Sequence, residues 1–439
     1  MYPVWEVPVL TSGIILGLIA AFHILPSHLS TSLMWFNVIF ERKAYKENKP
    51  EYLEFIKKNT LLLLIFAYIF GSLTGVGIWF SATLANPKGL SALIHNYVWG
   101  WATEWCFFIM EVLAIYIYYY SFGRVSPKTH LKIGYIFAFA SWISMVIIVG
   151  ILAFQLTPGK WLETGNFFDG FFNPTYFPQL LVRTFYMFAI GGLFALAVAS
   201  RIKNIEARAK ISKFSAGLGI LGLILGSIFI NWYIKMLPEN SLKIFSDLKF
   251  TGLYKLGQYS VLLILLYFIF VYLKPRWVHI IPSILFIIIA FGGIWSGERL
   301  REIARKPYVI RSVMYSNQII SGDIPSKNVK SEIQKFNESG LLSNFILKDS
   351  IFKEGAIEDK MLKGRILAQI QCVSCHCLQR KGLRPLPVLL ERVGAKSEDE
   401  ISGILDMLQG YSFMPPFVGT EEEKQALSLY LSSLTKGGK

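Results

Sequence analysis

Eight stretches of apolar residues, each near the roughly 20 residues a helix needs to cross hydrocarbon, constrain this chain more than any other feature. They fall at about 9–40, 60–84, 97–122, 133–156, 177–200, 214–233, 256–273 and 278–296. In lipid every backbone amide and carbonyl must find its partner within the segment, so such runs fold as helices. The expected fold is therefore all-α, a polytopic membrane helix bundle of about eight transmembrane helices. Composition agrees. Of the 439 residues, 53% are hydrophobic and 17% charged, against about a quarter charged in soluble domains. The formal charge of +15 does not point to nucleic acid, because the basic residues sit in short loops between apolar runs.

Those loops set the orientation. The first, third, fifth and seventh carry sixteen Lys and Arg residues, among them Arg42, Lys43, Arg124, Arg201 and Lys274; the second, fourth and sixth carry six. The positive-inside rule places the richer set in the cytoplasm. The N-terminus and everything after about residue 297 are then periplasmic, with the protein in the cytoplasmic (inner) membrane. The first residues, Met1-Tyr2-Pro3-Val4-Trp5-Glu6, have no basic region or small-residue cleavage site, so the first span is expected to be the retained insertion signal.

After residue 308 the character changes. Residues 309–353 are polar and turn-rich, as expected of a periplasmic connecting arm packed on the 1–308 membrane domain. Residues 354–439 read as a compact α-helical domain. Three of the four cysteines crowd into Cys372-Val373-Ser374-Cys375-His376-Cys377. The Cys-x-x-Cys-His spacing is the haem c attachment signature. Two thiols one helical turn apart add across the two haem vinyl groups, and His376 ligates the iron beneath. A zinc site would need a further ligand pair, and His376 is the only histidine in this segment. Met414, within Phe413-Met414-Pro415-Pro416-Phe417, is the expected sixth ligand; a thioether raises the potential relative to a second imidazole. Cys377 reads as a small buried residue or an extra redox group. The motif, the Met-Pro-Pro loop and a closing helix over 421–434 resemble a small class I cytochrome c across about 85 residues.

Ionisable residues inside the spans are costly and mark function. They are His23 and His28 in the first span, Glu104 and Glu111 in the third, Arg183 in the fifth, and Glu298 and Glu302 among Arg299, Arg301 and Arg305 at the end of the eighth. Glu104 and Glu111 are two helical turns apart and share a face.

The surrounding sequence resembles subunit I of the cytochrome bd oxidase superfamily over about 300 residues. Ala21-Phe22-His23-Ile24-Leu25 is similar to the segment bearing that family's high-spin haem histidine. Phe107-Phe108-Ile109-Met110-Glu111 resembles its third-span carboxylate helix, and Phe172-Asn173-Pro174 leading to Arg183 the start of its fifth span. Glu302-Ile303-Ala304-Arg305-Lys306-Pro307-Tyr308 resembles a motif whose Glu ligates a high-spin haem b. The resemblance implies haem b (or d) held by His23 and Glu302, with Glu104 a further candidate ligand and Glu111 a proton relay. Arg299, Arg301 and Arg305 would pair with haem propionates. A second membrane subunit is implied too. The chain departs from the family in three places: Arg183 stands where the low-spin haem histidine belongs, the seventh span has no Met, and only about 20 residues join the sixth and seventh spans, too few for the quinol-binding loop. A quinol site is therefore doubtful.

The function expected is respiratory electron transfer, with electrons from a periplasmic donor protein entering through haem c and high-spin haem in the bundle reducing O2. The alternative is a non-catalytic haem-containing anchor or electron-relay subunit of a larger complex. His28 could be structural or a ligand, and Arg183 could pair with a carboxylate or with a propionate.

Overall fold

The computed structural model describes residues 1–2, 4–348 and 359–436; the expected boundary between arm and C-terminal domain, at 353/354, lies outside them. Among the described residues, eight helices are long and apolar enough to span a membrane: Ser12–Glu47, Pro50–Ala85, Val98–Tyr120, Pro127–Phe154, Tyr176–Ala199, Ile205–Lys235, Leu248–Leu273 and Ile280–Arg305. Most outrun the apolar runs because their ends carry their own start and stop signals. The Thr11, Ser126 and Asn204 side chains accept the first free amides of the first, fourth and sixth spans, as N-caps do. Asn48 closes the first span in the left-handed conformation, φ 50°.

The first span is the axis of the bundle, packing on the second, fourth, fifth and eighth. Its inner half is wholly buried at Leu29, Leu33, Met34 and Phe36. The second span is π-helical over Leu63–Phe70. Such a widened stretch rotates the helix beyond it and is common at functional sites; here it delivers Gly71, Thr74 and Gly75 to His23 of the first span.

Beyond the eighth span a short antiparallel hairpin pairs Tyr308 with Tyr315 and Ile310 with Met314, forming a two-stranded sheet. Ile310, Val313, Met314 and Ile324 are buried with Tyr97, Phe154 and Trp161 of the membrane bundle. Ile319, Phe336, Leu341 and Phe345 are buried instead with Ile366, Leu367, Leu427 and Leu431. The arm thus contributes side chains to a hydrophobic cluster of the bundle and to that of the C-terminal helices.

The C-terminal helices are Lys360–Gln371, Leu386–Arg392, Glu398–Asp406 and Glu421–Lys436. The first and last cross at Gly364, where a Cβ would stand 2.6 Å from Cβ of Tyr430 and closer still to the Ala426 carbonyl. Only glycine permits that approach. Gly364→Val should force the helices apart and cost about 1–3 kcal/mol, as overpacking does; thermal unfolding of the purified full chain should show this region melting earlier, and an unchanged transition would refute the role.

Candidate functional site

The C-terminal domain turns its cysteine motif toward the membrane bundle. Val9, just before the first span, accepts from the Leu383 amide at 3.0 Å. Phe413, beside Met414, meets Phe250 edge-on, 5.5 Å between ring centres. At Gly13 in the first span, a Cβ would lie 3.0 Å from the Ser374 carbonyl inside the Cys-x-x-Cys motif and 3.5 Å from a carboxylate oxygen of Glu302. Gly17, one turn further in, is also 3.5 Å from that carboxylate by the same measure. The missing side chains at Gly13 and Gly17 let the motif loop and Glu302 approach the same stretch of helix. The Gly-x-x-x-Gly spacing is a readable sign of close packing in membranes, a signal that sequence reasoning missed.

Within the motif, His376 Nδ1 lies 3.2 Å from the Arg384 carbonyl. A carbonyl only accepts, so Nδ1 carries the hydrogen and Nε2 keeps its lone pair, the arrangement of a metal-ligating histidine. Burial lowers the His376 pKa to about 4, which keeps the ring neutral. Burial pushes the Cys372 thiol up to about 12. At Cys375 burial is the largest influence and acts in the same upward direction, but the Lys306 charge, the Ser374 hydrogen bond and the Arg384 charge together outweigh it and the net shift is downward. Met414 is part-buried in the loop that carries Phe413.

His23 is oriented in the same way as His376. Its Nδ1 lies 3.1 Å from the Gly71 carbonyl and 3.2 Å from Thr74 Oγ1, so it donates there, and among the described residues Nε2 has no partner. Glu302 is bonded to Arg299, whose guanidinium also sits 5.7 Å from the Trp295 ring centre. Arg305 donates to Gln155, and its buried Nε is unpartnered. Arg183 pairs with Glu298 at 3.1 Å, the carboxylate option of the two open in the sequence. Arg301 takes the other Glu298 oxygen at 2.7 Å.

A second set of polar groups lines the third span at seven-residue steps, about 10 Å each: Glu104, Glu111 and Tyr118. Glu104 accepts from Ser144 at 2.7 Å. Glu111 is buried and accepts from Tyr68 at 3.0 Å and Ser30 at 3.3 Å, and Ser30 in turn meets Ser141 at 3.0 Å. Tyr118 donates to Glu41 at 2.5 Å, and the other Glu41 oxygen lies 2.6 Å from His130 Nδ1. His130 Nε2 donates to the Tyr118 carbonyl at 2.8 Å, so one proton is shared between Nδ1 and Glu41. The sequence alone assigned no role to His130, Glu41 or Tyr118. The available signal was the repeat of polar residues at 104, 111 and 118.

Fold and site together define a polytopic membrane protein with imidazole and carboxylate groups buried in its bundle. The family profile described as cytochrome bd terminal oxidase subunit I matches residues 12–233, just over half of the chain, and the chain belongs to that family. Among solved structures, the bd oxidase from Geobacillus thermodenitrificans superposes with a TM-score of 0.63 at 15% identity, covering 72% of this chain and 91% of that chain; the likeness shows the shared fold. No curated protein sequence matches. Membership makes this a respiratory oxidase-like membrane protein of a family whose membrane subunit holds b- or d-type haem and is normally paired with a second membrane subunit. The donors fit that group: His23 offers a free Nε2 with Nδ1 already engaged, and Glu302 offers a carboxylate oriented by Arg299.

Proposed function

We propose that the chain is the membrane subunit of an O2-reducing oxidase that receives electrons through a covalent haem c. In this reading Cys372 and Cys375 would hold that haem by thioether bonds, and His376 and Met414 would ligate its iron. His23 and Glu302 would hold high-spin haem in the bundle, which would bind O2 and pass on to it the electrons received through haem c. The observation that carries the reading is the meeting at Gly13, where the Ser374 carbonyl and the Glu302 carboxylate flank one glycine. The loop that would carry haem c is thereby packed against the helix that would carry the membrane ligand.

Electron input from a quinol fits poorly, since only residues 236–247, mostly the short helix Glu239–Ser246, join the sixth and seventh spans. The periplasmic face of the C-terminal domain is then the place for a donor protein. Protons have a route from the opposite side. Glu41 and His130 share a proton near the cytoplasmic end. Glu111, with Tyr68, Ser30 and Ser141, can hold one midway, and Glu104 with Ser144 lies beyond it. Carboxyl and imidazole groups strung through a membrane bundle in this way are the usual parts of a proton relay.

A pyridine haemochrome count and a CO-difference spectrum of the purified, reduced full chain test this. Haem c together with b- or d-type haem that binds CO is the expected result. Haem b that ignores CO would turn the reading into an electron relay, and haem c alone would overturn both.

A further inference from the structure

Where the first span ends at Glu47 and the sixth begins at Ile205, far from the Gly13 junction, a groove of about 600 Å³ opens between the first, second, sixth and seventh spans. Its rim is basic. Lys43 of the first span and Lys210 and Lys213 of the sixth converge on it, and the one acid in its lining is Glu47. Lys210 reaches Glu47 only at 3.9 Å, with both side chains exposed. Lys43 and Lys213 have no carboxylate partner among the described residues; aromatic rings hold them instead. The Lys43 ammonium lies 4.9 Å from the Phe214 ring centre and 5.2 Å from that of Phe40, and the Lys213 ammonium 5.1 Å from that of Tyr272. A ring face positions an ammonium without neutralising it, so three positive charges face one negative.

Beyond the lysines the lining turns apolar. Phe214, Leu218 and Leu221 continue the wall along the sixth span at helical steps, and Leu221 lies about 12 Å past Lys213 at 1.5 Å per residue. Leu221 is 50% exposed and Tyr272 41% exposed, so this half of the groove opens to the surroundings of the bundle. One groove thus carries charge at the span ends and bare apolar surface further in.

We propose that this groove binds an anionic phospholipid, with its phosphate among Lys43, Lys210 and Lys213 and an acyl chain along Leu218 and Leu221. Both halves of the site have to be met by one molecule. A soluble phosphate compound or an acidic peptide answers the lysines and leaves the apolar half bare. A zwitterionic lipid answers the apolar half, but its own cation is repelled by the ammonium groups. Basic pockets between membrane helices on the cytoplasmic side are the usual sites for acidic headgroups, and the positive-inside reading of the loops puts this end of the bundle there. The proposal is independent of which haems the bundle holds.

The experiment is native mass spectrometry of the delipidated, detergent-purified full chain, offered dioleoylphosphatidylglycerol and dioleoylphosphatidylcholine in equal amounts. Each lysine near an acidic headgroup is worth roughly fivefold in affinity. Wild type should therefore prefer phosphatidylglycerol by roughly tenfold or more, and the triple variant Lys43→Gln, Lys210→Gln, Lys213→Gln should bind it on the order of 100-fold more weakly. Thirteen basic residues then remain in the loops of this face against six on the other, so the orientation is kept. Glu47→Gln should tighten binding, a gain that no loss of fold produces. If the triple variant does not accumulate, Lys210→Glu, at an exposed position, should weaken binding about 25-fold, as two units of charge require. Equal retention of the two lipids by wild type, or an undiminished preference in the triple variant or in Lys210→Glu, overturns the assignment. So does an equal loss in Lys46→Gln, Lys128→Gln, Lys203→Gln, whose lysines lie off the groove, because the effect would then belong to surface charge as a whole. Retention of inorganic phosphate with no phosphatidylglycerol bound would exclude a lipid.

Discussion

Replacing Cys372 and Cys375 together by alanine should abolish the covalently bound haem and with it electron input. On a denaturing gel the wild-type chain should give a haem-stained band and the variant none, because only thioether bonds survive denaturation. Oxygen uptake with a periplasmic electron donor should fall on the order of 100-fold, at least the loss seen when outer partners of a metal site are removed. Haem b in the bundle should stay, since His23 and Glu302 do not depend on the thiols. A single Cys372→Ala chain should keep some haem through the remaining thioether at Cys375, with a displaced α band. A full haem stain in the double variant would sink the covalent assignment.

The second large effect is expected at Glu302. Glu302→Ala should remove a high-spin haem from the bundle and cut O2 reduction on the order of 100-fold or more, leaving haem c in place. It should also destabilise the outer end of the bundle, because Arg299 loses its partner while 10% exposed. An orphaned buried charge costs about 3–5 kcal/mol. Two effects are therefore superimposed, and the Glu302→Ala, Arg299→Ala double variant separates them. Thermal stability should recover and the haem should not. Recovery of the haem along with stability would mean that Glu302 serves only Arg299, and the ligand role would be lost.

The two sites are linked by a packing device. Gly13 and Gly17 face Glu302, and Gly13 faces Ser374 as well. A membrane helix stripped of side chains on one face lets another backbone come close. Here that freedom is used by a loop some 360 residues away in sequence. The polar line of Glu104, Glu111 and Tyr118 is built differently, on seven-residue periodicity within the third span, with donors to its two carboxylates supplied by the first, second and fourth spans.

The eight spans and the Cys-x-x-Cys-His motif are legible without any tertiary information. Hydrocarbon thickness dictates span length, and thioether chemistry dictates the Cys-x-x-Cys-His spacing; both are local demands that leave local marks. The sequence also flagged His23, Glu104, Glu111, Arg183 and Glu302, because a polar residue in an apolar run stands out whatever it touches. Which of these groups pair emerges only once the helices are packed. Nothing in the sequence links Glu41 to His130 across 89 positions, assigns Glu298 to both Arg183 and Arg301, or sets the Ser374 carbonyl on Gly13. Those pairings depend on how helices rotate and cross. That is fixed by side-chain packing summed over the whole bundle and by such devices as the π-helical turn before Gly71. The basic groove at Lys43 belongs to the same category, since it is walled by four spans at once.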